Sequence, residues 1–468
     1  MDINNSNQFK VNELVIVTKA GKIDITAIYE EINIFDSLLM PVMSGNVLVR
    51  DAIGLSATLL FDGSESLLIN ISKSVNSDVA SFKKAFRIYK QSDRNIINPN
   101  SEAYVLHFVS DELFYSDQQK ITQSYEETYS EIIKKILSDY LKVPKNNLNG
   151  IYSDSSGIRN IVIPNLSPID AIQWCTKRAL DFEQSPNFMF FQNITGYNFA
   201  SLSILLSQKE VLDIKFQTKN LSGTSPLEEI SGAKSFEVLS MTNLIDRTRS
   251  GVNAGTFIGF DPITRTVSSR QIGYSDHYKN MKHGNDTPNF TPILNRDGKE
   301  NSQNFNSRKT LSIFGTARKL SEYIKRNDPT SISTNESAED FVFHRKAIIG
   351  NLMSKRLKIV MPGNFQLSSG FNVNVDAPIF GQKEKNSDEE DKSLSGKYII
   401  IASRHIIGFE KHETIIEVAS SSSGNDFIPL SNFDEVQEIM EYWYAKKNWF
   451  KWFCRQSRIY LVGWCCWR

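Results

Sequence analysis

Six histidines, at positions 107, 277, 283, 344, 405 and 412, and four cysteines, at 175, 454, 465 and 466, are the residues best suited to ligate a metal or supply a nucleophile. A zinc hydrolase needs two histidines on one helix face, as in HExxH, and a structural zinc site needs closely spaced Cys or His pairs. No two histidines stand four residues apart, and no cysteine pair has histidine nearby. Cys175 sits beside Trp174 in a helical pattern and reads as a small core hydrophobe. Glu30 and Glu31 end a strand pattern and read as solvated. His405, in IIIASRHII, reads as a sheet histidine, because local sequence places no nucleophile or orienting carboxylate beside it. Asn165 and Ser167 precede a helix and suit capping better than catalysis. With no GxSxG, Walker A, GxGxxG or spaced carboxylate pair, the residues predict no catalytic set, no cofactor and no metal.

The elements around these residues predict an α+β, mainly β protein. A chain of 468 residues suggests about two to four domains. From 11 to about 115, Leu14, Ile16 and Thr18 alternate with Val15, Val17 and Lys19, and Ile23, Ile25, Ala27 and Tyr29 resume the alternation after the AGK turn. Further strands are expected at 45–50, 66–72, 83–90 and 103–109, with a short helix at 52–60; such spacing favours a small antiparallel barrel or sandwich. The period then changes. Ile121, Tyr125, Tyr129, Ile132, Ile133, Ile136, Leu137, Tyr140 and Leu141 predict one helix face. A second helix starts at SPIDAIQWCTKRA, where Ser167 caps, Pro168 takes the first position and Asp170 closes a capping box. A strand at 188–192 and the NITG turn complete an α+β unit over 116–215.

Strands are expected again at 211–218, 235–240 and 252–260, then, after a helix at 339–355, at 356–361, 371–376, 396–403 and 412–419. The polar stretch 261–339 reads as an insertion, and the charged segment 383–396 as a solvated hairpin loop. After residue 440 come five of the six tryptophans and three of the four cysteines, interleaved with Lys446, Lys447, Lys451, Arg455 and Arg458. A partner helix, a membrane-surface helix and an accidental tail all remain open for this stretch.

Charge and hydropathy exclude some function classes. Lys plus Arg and Asp plus Glu are 53 each, a zero net charge that argues against tight nucleic-acid binding. No apolar run approaches the ~18 residues of a membrane span, so stable membrane insertion is not expected. The N-terminus lacks a basic region followed by an apolar stretch, and synthesis and assembly in a cytoplasm are expected.

Two long stretches carry a resemblance: IVIPNLSPIDAIQWCTKRALDFEQSPNFMFFQNITGYNFASLSILL at 161–206, and MPGNFQLSSGFNVNVDAPIF at 361–380 with SGKYIIIASRHIIGFEKHETIIEVA at 395–419. Together with DSLLMPVMSGNVLVRDAIGL at 36–55, their order and spacing resemble the baseplate hub proteins of contractile-tailed phages of the T-even type. Pro164, Asn165, Ser167, Pro168, Pro362, Gly363, Gly370, Pro378, Gly396, Tyr398, Arg404 and His405 stand at the signature positions. The glycines and prolines there set turns and strand ends rather than chemistry.

The resemblance implies two tube-type antiparallel β-barrels, at 1–115 and at 216–260 joined with 340–425, separated by the α+β domain at 116–215 and an insertion at 261–339, with a tail at 426–468. It implies a homotrimer whose six barrels adapt a six-fold tail tube to a three-fold cell-puncturing spike. The partners implied are a trimeric tail spike protein, the tail tube or a tube-initiator protein, and other baseplate proteins of the virion. DNA would pass through the ring without specific binding. A VgrG-type secretion spike hub, a tail-associated peptidoglycan hydrolase and a receptor-binding or peripheral baseplate protein remain the alternatives. No sequence repeat between the two barrel regions is visible.

Overall fold

The computed structural model describes residues 9–19, 21–55, 61–73, 81–143, 150–216, 231–241, 254–261, 265–273, 309–312, 338–377 and 393–423, with Ile245, His283, Thr287–Pro288 and Asp391. The expected helix at 52–60, the loop at 383–396, Pro378, most of the 261–339 insertion and the 426–468 tail lie wholly or largely outside the described residues.

The alternating N-terminal pattern folds into seven strands: β1 (Phe9–Thr18), β2 (Gly21–Asp24), β3 (Tyr29–Ser37), β4 (Ser44–Asp51), β5 (Ser66–Lys73), β6 (Ser81–Asn98) and β7 (Ser101–Val109). They lie side by side in the order β2-β1-β5-β6-β7-β4-β3, all antiparallel. Every second residue points inward. Leu14, Ile16, Val47, Val49, Leu67, Ile69, Phe86, Leu106 and Phe108 thereby form one buried cluster.

Helices follow as the period lengthens: α1 (Asp111–Asp117), β8 (Ser124–Glu127), α2 (Tyr129–Asp139), β9 (Arg159–Val162), α3 (Pro168–Thr176), β10 (Phe188–Asn193), β11 (Gly196–Ser201) and α4 (Leu202–Ser207). The helix expected from Ile121 begins only at Tyr129. Thr128, extended at ψ 153°, accepts the Glu131 N–H and sets the start. Ile121 and Tyr125 join the same core from an isolated bridge and from β8. FMFFQN in β10 is buried throughout because both its faces are covered. Phe188 and Phe190 face the helices, and Met189 and Phe191 face the apolar side of a later helix.

The remaining strands are β12 (Glu210–Phe216), β13 (Gly232–Ala233), β14 (Ser235–Ser240), β15 (Ala254–Asp261), β16 (Thr266–Gly273), β17 (Thr287–Pro288), β18 (Lys309–Ser312), β19 (Lys355–Pro362), β20 (Asn372–Asp376), β21 (Gly396–Gly408), β22 (His412–Ser420) and β23 (Ser422–Ser423), with α5 (Ala338–Leu352) before β19. Seven of them form a second sheet in the order β13-β12-β20-β21-β22-β19-β14. β15 stays outside it and pairs with β16 and β18, so strand structure continues past residue 261.

The chain is thus mainly β, as expected, but the expected barrels are corrected: among the described residues no sheet closes into one. Each is a rolled sheet whose ends are bridged by a single bent segment. Residues 21–37 pair with β1 through β2 and with β4 through β3, interrupted by the turn at 25–28. Residues 232–240 pair with β12 and then β19, interrupted at Lys234, whose N–H bonds the Val360 carbonyl. The interruption leaves the ladder discontinuous in both.

Candidate assembly interface

Counted along the chain, the strands of the two sheets occupy one spatial pattern, second-first-fifth-sixth-seventh-fourth-third. β2-β1-β5-β6-β7-β4-β3 corresponds strand for strand to β13-β12-β20-β21-β22-β19-β14. The correspondence reaches individual residues. On the sixth strand, Arg87 faces Ser66 on one edge and Val109 on the other, as Ile399 faces Asn372 and Ala419. Both strands then bulge at the same place, between Ile88 and Lys90 and between Ile400 and Ala402. Before each bulge one N–H reaches back to the residue ahead of the fifth strand, Ile88 to the Glu65 carbonyl at 3.0 Å and Ile400 to that of Phe371 at 2.8 Å. Equivalent positions Phe86 and Tyr398, Phe108 and Val418, Leu106 and Ile416, and Val47 and Ile359 are all buried.

One strand departs from the pattern. β1 is antiparallel to β2 and β5, whereas β12 is parallel to β13 and β20. Only two residues separate β1 from β2, which suits an antiparallel pair, whereas fifteen separate β12 from β13, which leaves room for a parallel one.

The sheets fuse where β3 lies antiparallel along β21, from Ala402 opposite Ser37 to Gly408 opposite Glu31. β3 occupies the same edge of β21 as β20, further along, and β22 lines the opposite edge. Asp36 is the buried centre of this seam. Its carboxylate accepts from Ser403 Oγ at 2.9 Å, from the Ser369 N–H at 2.9 Å and from Ser368 Oγ. Burial pushes the Asp36 pKa up, and the hydrogen bonds from Ser368, Ser369 and Ser403 pull it back. The Leu38 N–H and the Ser37 hydroxyl both donate to the Ile401 carbonyl, at 2.8 and 3.1 Å. Arg404 Nε donates to Asn33 Oδ1 at 2.9 Å with its guanidinium over the Phe35 ring. A one-residue slip would strand the Asp36 carboxylate without these donors, so the seam has one register.

Of the sequence-predicted residues, Arg404 and His405 lie on this seam, and Gly363 stands one strand away, against His412. His405 is opposite Ile34. Its ring is buried against Phe365 and within 3.1 Å of Thr414 Oγ1, and burial pushes its pKa down to about 3, which keeps it neutral. A Cβ on Gly363 would fall 2.0 Å from the His412 ring. Pro362 ends β19 opposite Glu413. Gly370 and Gly396, at φ +87° and +131°, turn the chain before β20 and into β21. Tyr398 is buried in the second sheet, its hydroxyl donating to the Leu394 carbonyl at 2.6 Å. Pro164, Asn165, Ser167 and Pro168 lie elsewhere, at the start of α3. Asn165 has φ +51°, Ser167 Oγ donates to Asp170 Oδ2 at 2.6 Å and Pro168 opens the helix. Sequence reasoning missed Asp36, Ser368, Ser369 and Ser403. DSLLMP and QLSSGF show two of the segments, but no local rule pairs residues so far apart in the chain.

A cleft of about 660 Å³ beside α1 is lined by Lys83, Lys84, Asp111, Glu112, Lys142 and the β10–β11 turn. Burial lowers the Lys84 pKa to about 8 against the pull of Glu112 and Asp36. Among the described residues, no group of three His, Cys, Asp or Glu side chains could hold a metal ion.

No protein-family model matches the chain. No curated protein matches it either. Solved structures do. The 43 kDa tail protein of prophage MuSo2 from Shewanella oneidensis aligns at TM-score 0.50 and 10% identity, over 87% of this chain and 98% of that one. A tail protein from Neisseria meningitidis aligns at 0.47 and 11%, over 87% and 96%. An E. coli component of the type VI secretion system, described as similar to the T4 bacteriophage tail proteins gp27 and gp5, aligns at 0.39 and 8%, over 90% and 79%. At such identities the likeness concerns fold alone, and the fold of this chain is that of the Shewanella prophage tail protein.

Proposed function

We propose that the chain is a structural hub of a phage-type tail baseplate, three copies of which close a ring between a six-fold tube and a three-fold spike. The observation that carries this reading is the repeated strand order: one polypeptide holds two sheets of the same strand order, alike in direction except at β12, fused edge to edge. Three copies then present six near-equivalent modules, the number a six-fold tube ring requires, while keeping three-fold symmetry for a spike. The fold shared with a prophage tail protein supports the setting.

On this reading the partners are a homotrimeric mate, a trimeric spike, the first tube ring or its initiator, and neighbouring baseplate proteins of the virion. The zero net charge suits a conduit through which DNA slides without being held. The role is mechanical and needs no catalytic group. Native mass measurement of the full chain, alone and with the candidate spike, tests it. A trimer, free or spike-dependent, is expected; a monomer that ignores spike and tube contradicts the hub.

A further inference from the structure

The internal seam has a second, unfilled counterpart. β21 carries β3 on the edge beyond β20, but the equivalent edge of β6, beyond the end of β5 at Arg87, carries no strand among the described residues. Likewise β3 is paired on both edges, by β4 and β21, whereas its equivalent β14 pairs only with β19 among the described strands. Each module thus has one edge of each kind, and the seam within the chain uses one edge from each module.

Resting on the hub reading, we propose that β6 of one copy pairs antiparallel with β14 of the next, repeating the β21–β3 seam between molecules. Equivalence fixes the register. Gln91 and Ser92 stand where Ser403 and Arg404 stand on β21, counted from the shared bulge. Ser240 faces Arg356 as Phe35 faces Ser44, so Ser240 and Met241 stand where Phe35 and Asp36 do. Since Ser403 faces Asp36 and Arg404 faces Phe35, Gln91 is to face Met241 and Ser92 to face Ser240. A further bulge between Ser92 and Asn95 takes the rest of β6 into its own register.

The side chains fit an edge awaiting a partner. β6 exposes Tyr89, Ile96 and Ile97, with Ile96 80% exposed, and the β14 segment exposes Val238, Leu239 and Met241. Exposed apolar residues on unpaired edges are a hazard that proteins normally blunt with charge or cover. Gln91 Nε2 is buried with no hydrogen-bond partner, at the position where Ser403 donates to Asp36 in the existing seam. A second copy is the occupant because the pattern is head-to-tail: the β14 edge of one copy meets the β6 edge of the next, and three intermolecular seams alternating with three internal ones close a ring.

Opposed residues of an antiparallel pair lie at the separation a disulfide spans. The full chain carrying Gln91→Cys with Met241→Cys, and with Cys454, Cys465 and Cys466 changed to Ser, is oxidised and analysed by non-reducing electrophoresis beside native mass measurement. The expected result is a covalent trimer that reductant dissolves and that neither single-cysteine variant forms. Val238→Lys with Leu239→Lys should weaken association at least tenfold with unchanged circular dichroism. A native trimer without the covalent bond overturns this pairing and leaves the hub reading standing. A chain monomeric throughout overturns both, and covalent chains longer than three keep the pairing while removing the hub.

Discussion

The first and second sheets solve one packing problem with opposite allocations of volume. On the fourth strand, Gly45 lies opposite Phe108, and the ring of that phenylalanine fills the space a side chain at 45 would take. In the second sheet the same two positions are Leu357 and Val418, both buried. The sum of the pair is roughly kept while its members exchange size, which is how a core retains shape as residues drift. The difference teaches that what is common to the two modules is register and inward alternation, not residue identity. It also explains why β12 could reverse direction: its neighbours require an apolar strand at that place in the order, and parallel or antiparallel ladders both supply one.

Copying one module's choice into the other is the most disruptive test of that comparison. Gly45→Leu, which places the second sheet's residue in the first, meets the Phe108 ring and the Asn33 carbonyl within 2.3 Å of its Cβ. A loss of about 3 kcal/mol or more is expected in urea unfolding. Adding Phe108→Val should recover part of it; a double variant no better than the single one would show that the positions are not equivalent.

Next in size is the seam itself. Asp36→Ala leaves the Ser368 and Ser403 hydroxyls and the Ser369 N–H without their acceptor. About 3 kcal/mol should be lost. Calorimetry should also resolve the two modules as separate transitions if this contact is what couples them.

A smaller effect depends on pH. Burial holds the folded His405 pKa at about 3, below the 6.5 of an ordinary histidine, so its contribution is present above pH 6.5 and is lost as pH falls. At pH 5 about 2 kcal/mol should have gone relative to pH 7. His405→Gln should flatten that slope in denaturation curves. Asp36 acts in the opposite sense: its raised pKa makes its contribution fully present below the unfolded value and lost as pH rises, which softens the decline as pH falls toward about 4 and adds nothing further below it. The smallest effect is expected at Lys19, whose ion pair with Asp62 is exposed on both sides. Lys19→Ala should leave the urea unfolding midpoint unchanged within error.

Much of the fold was legible in the sequence because strand signals are local. The alternation in LVIVT, NVLVR, LLINIS and IIEVA marks β1, β4, β5 and β22, and Ser167, Pro168 and Asp170 marked the start of α3. The repeat was not legible. Its equivalent segments, such as RIYKQS and IIIASR, share an isoleucine before the bulge and little else. Their kinship lies in which residue faces which across strands, and pairing between distant segments leaves no local trace. The seam was illegible for the same reason, as Asp36 meets Ser368 and Ser403 only after both sheets have formed. The helix expected from Ile121 failed for a different reason: apolar residues at helical spacing reached the same core from a bridge, a strand and a helix in turn.

The central claim is that one chain supplies two equivalent ring modules. Electron microscopy of the assembled ring viewed end-on tests it most directly, with the number of chains counted by mass in the same preparation. The account predicts six similar lobes built from three chains. Six lobes from six chains, or a location away from the tail axis, would contradict it.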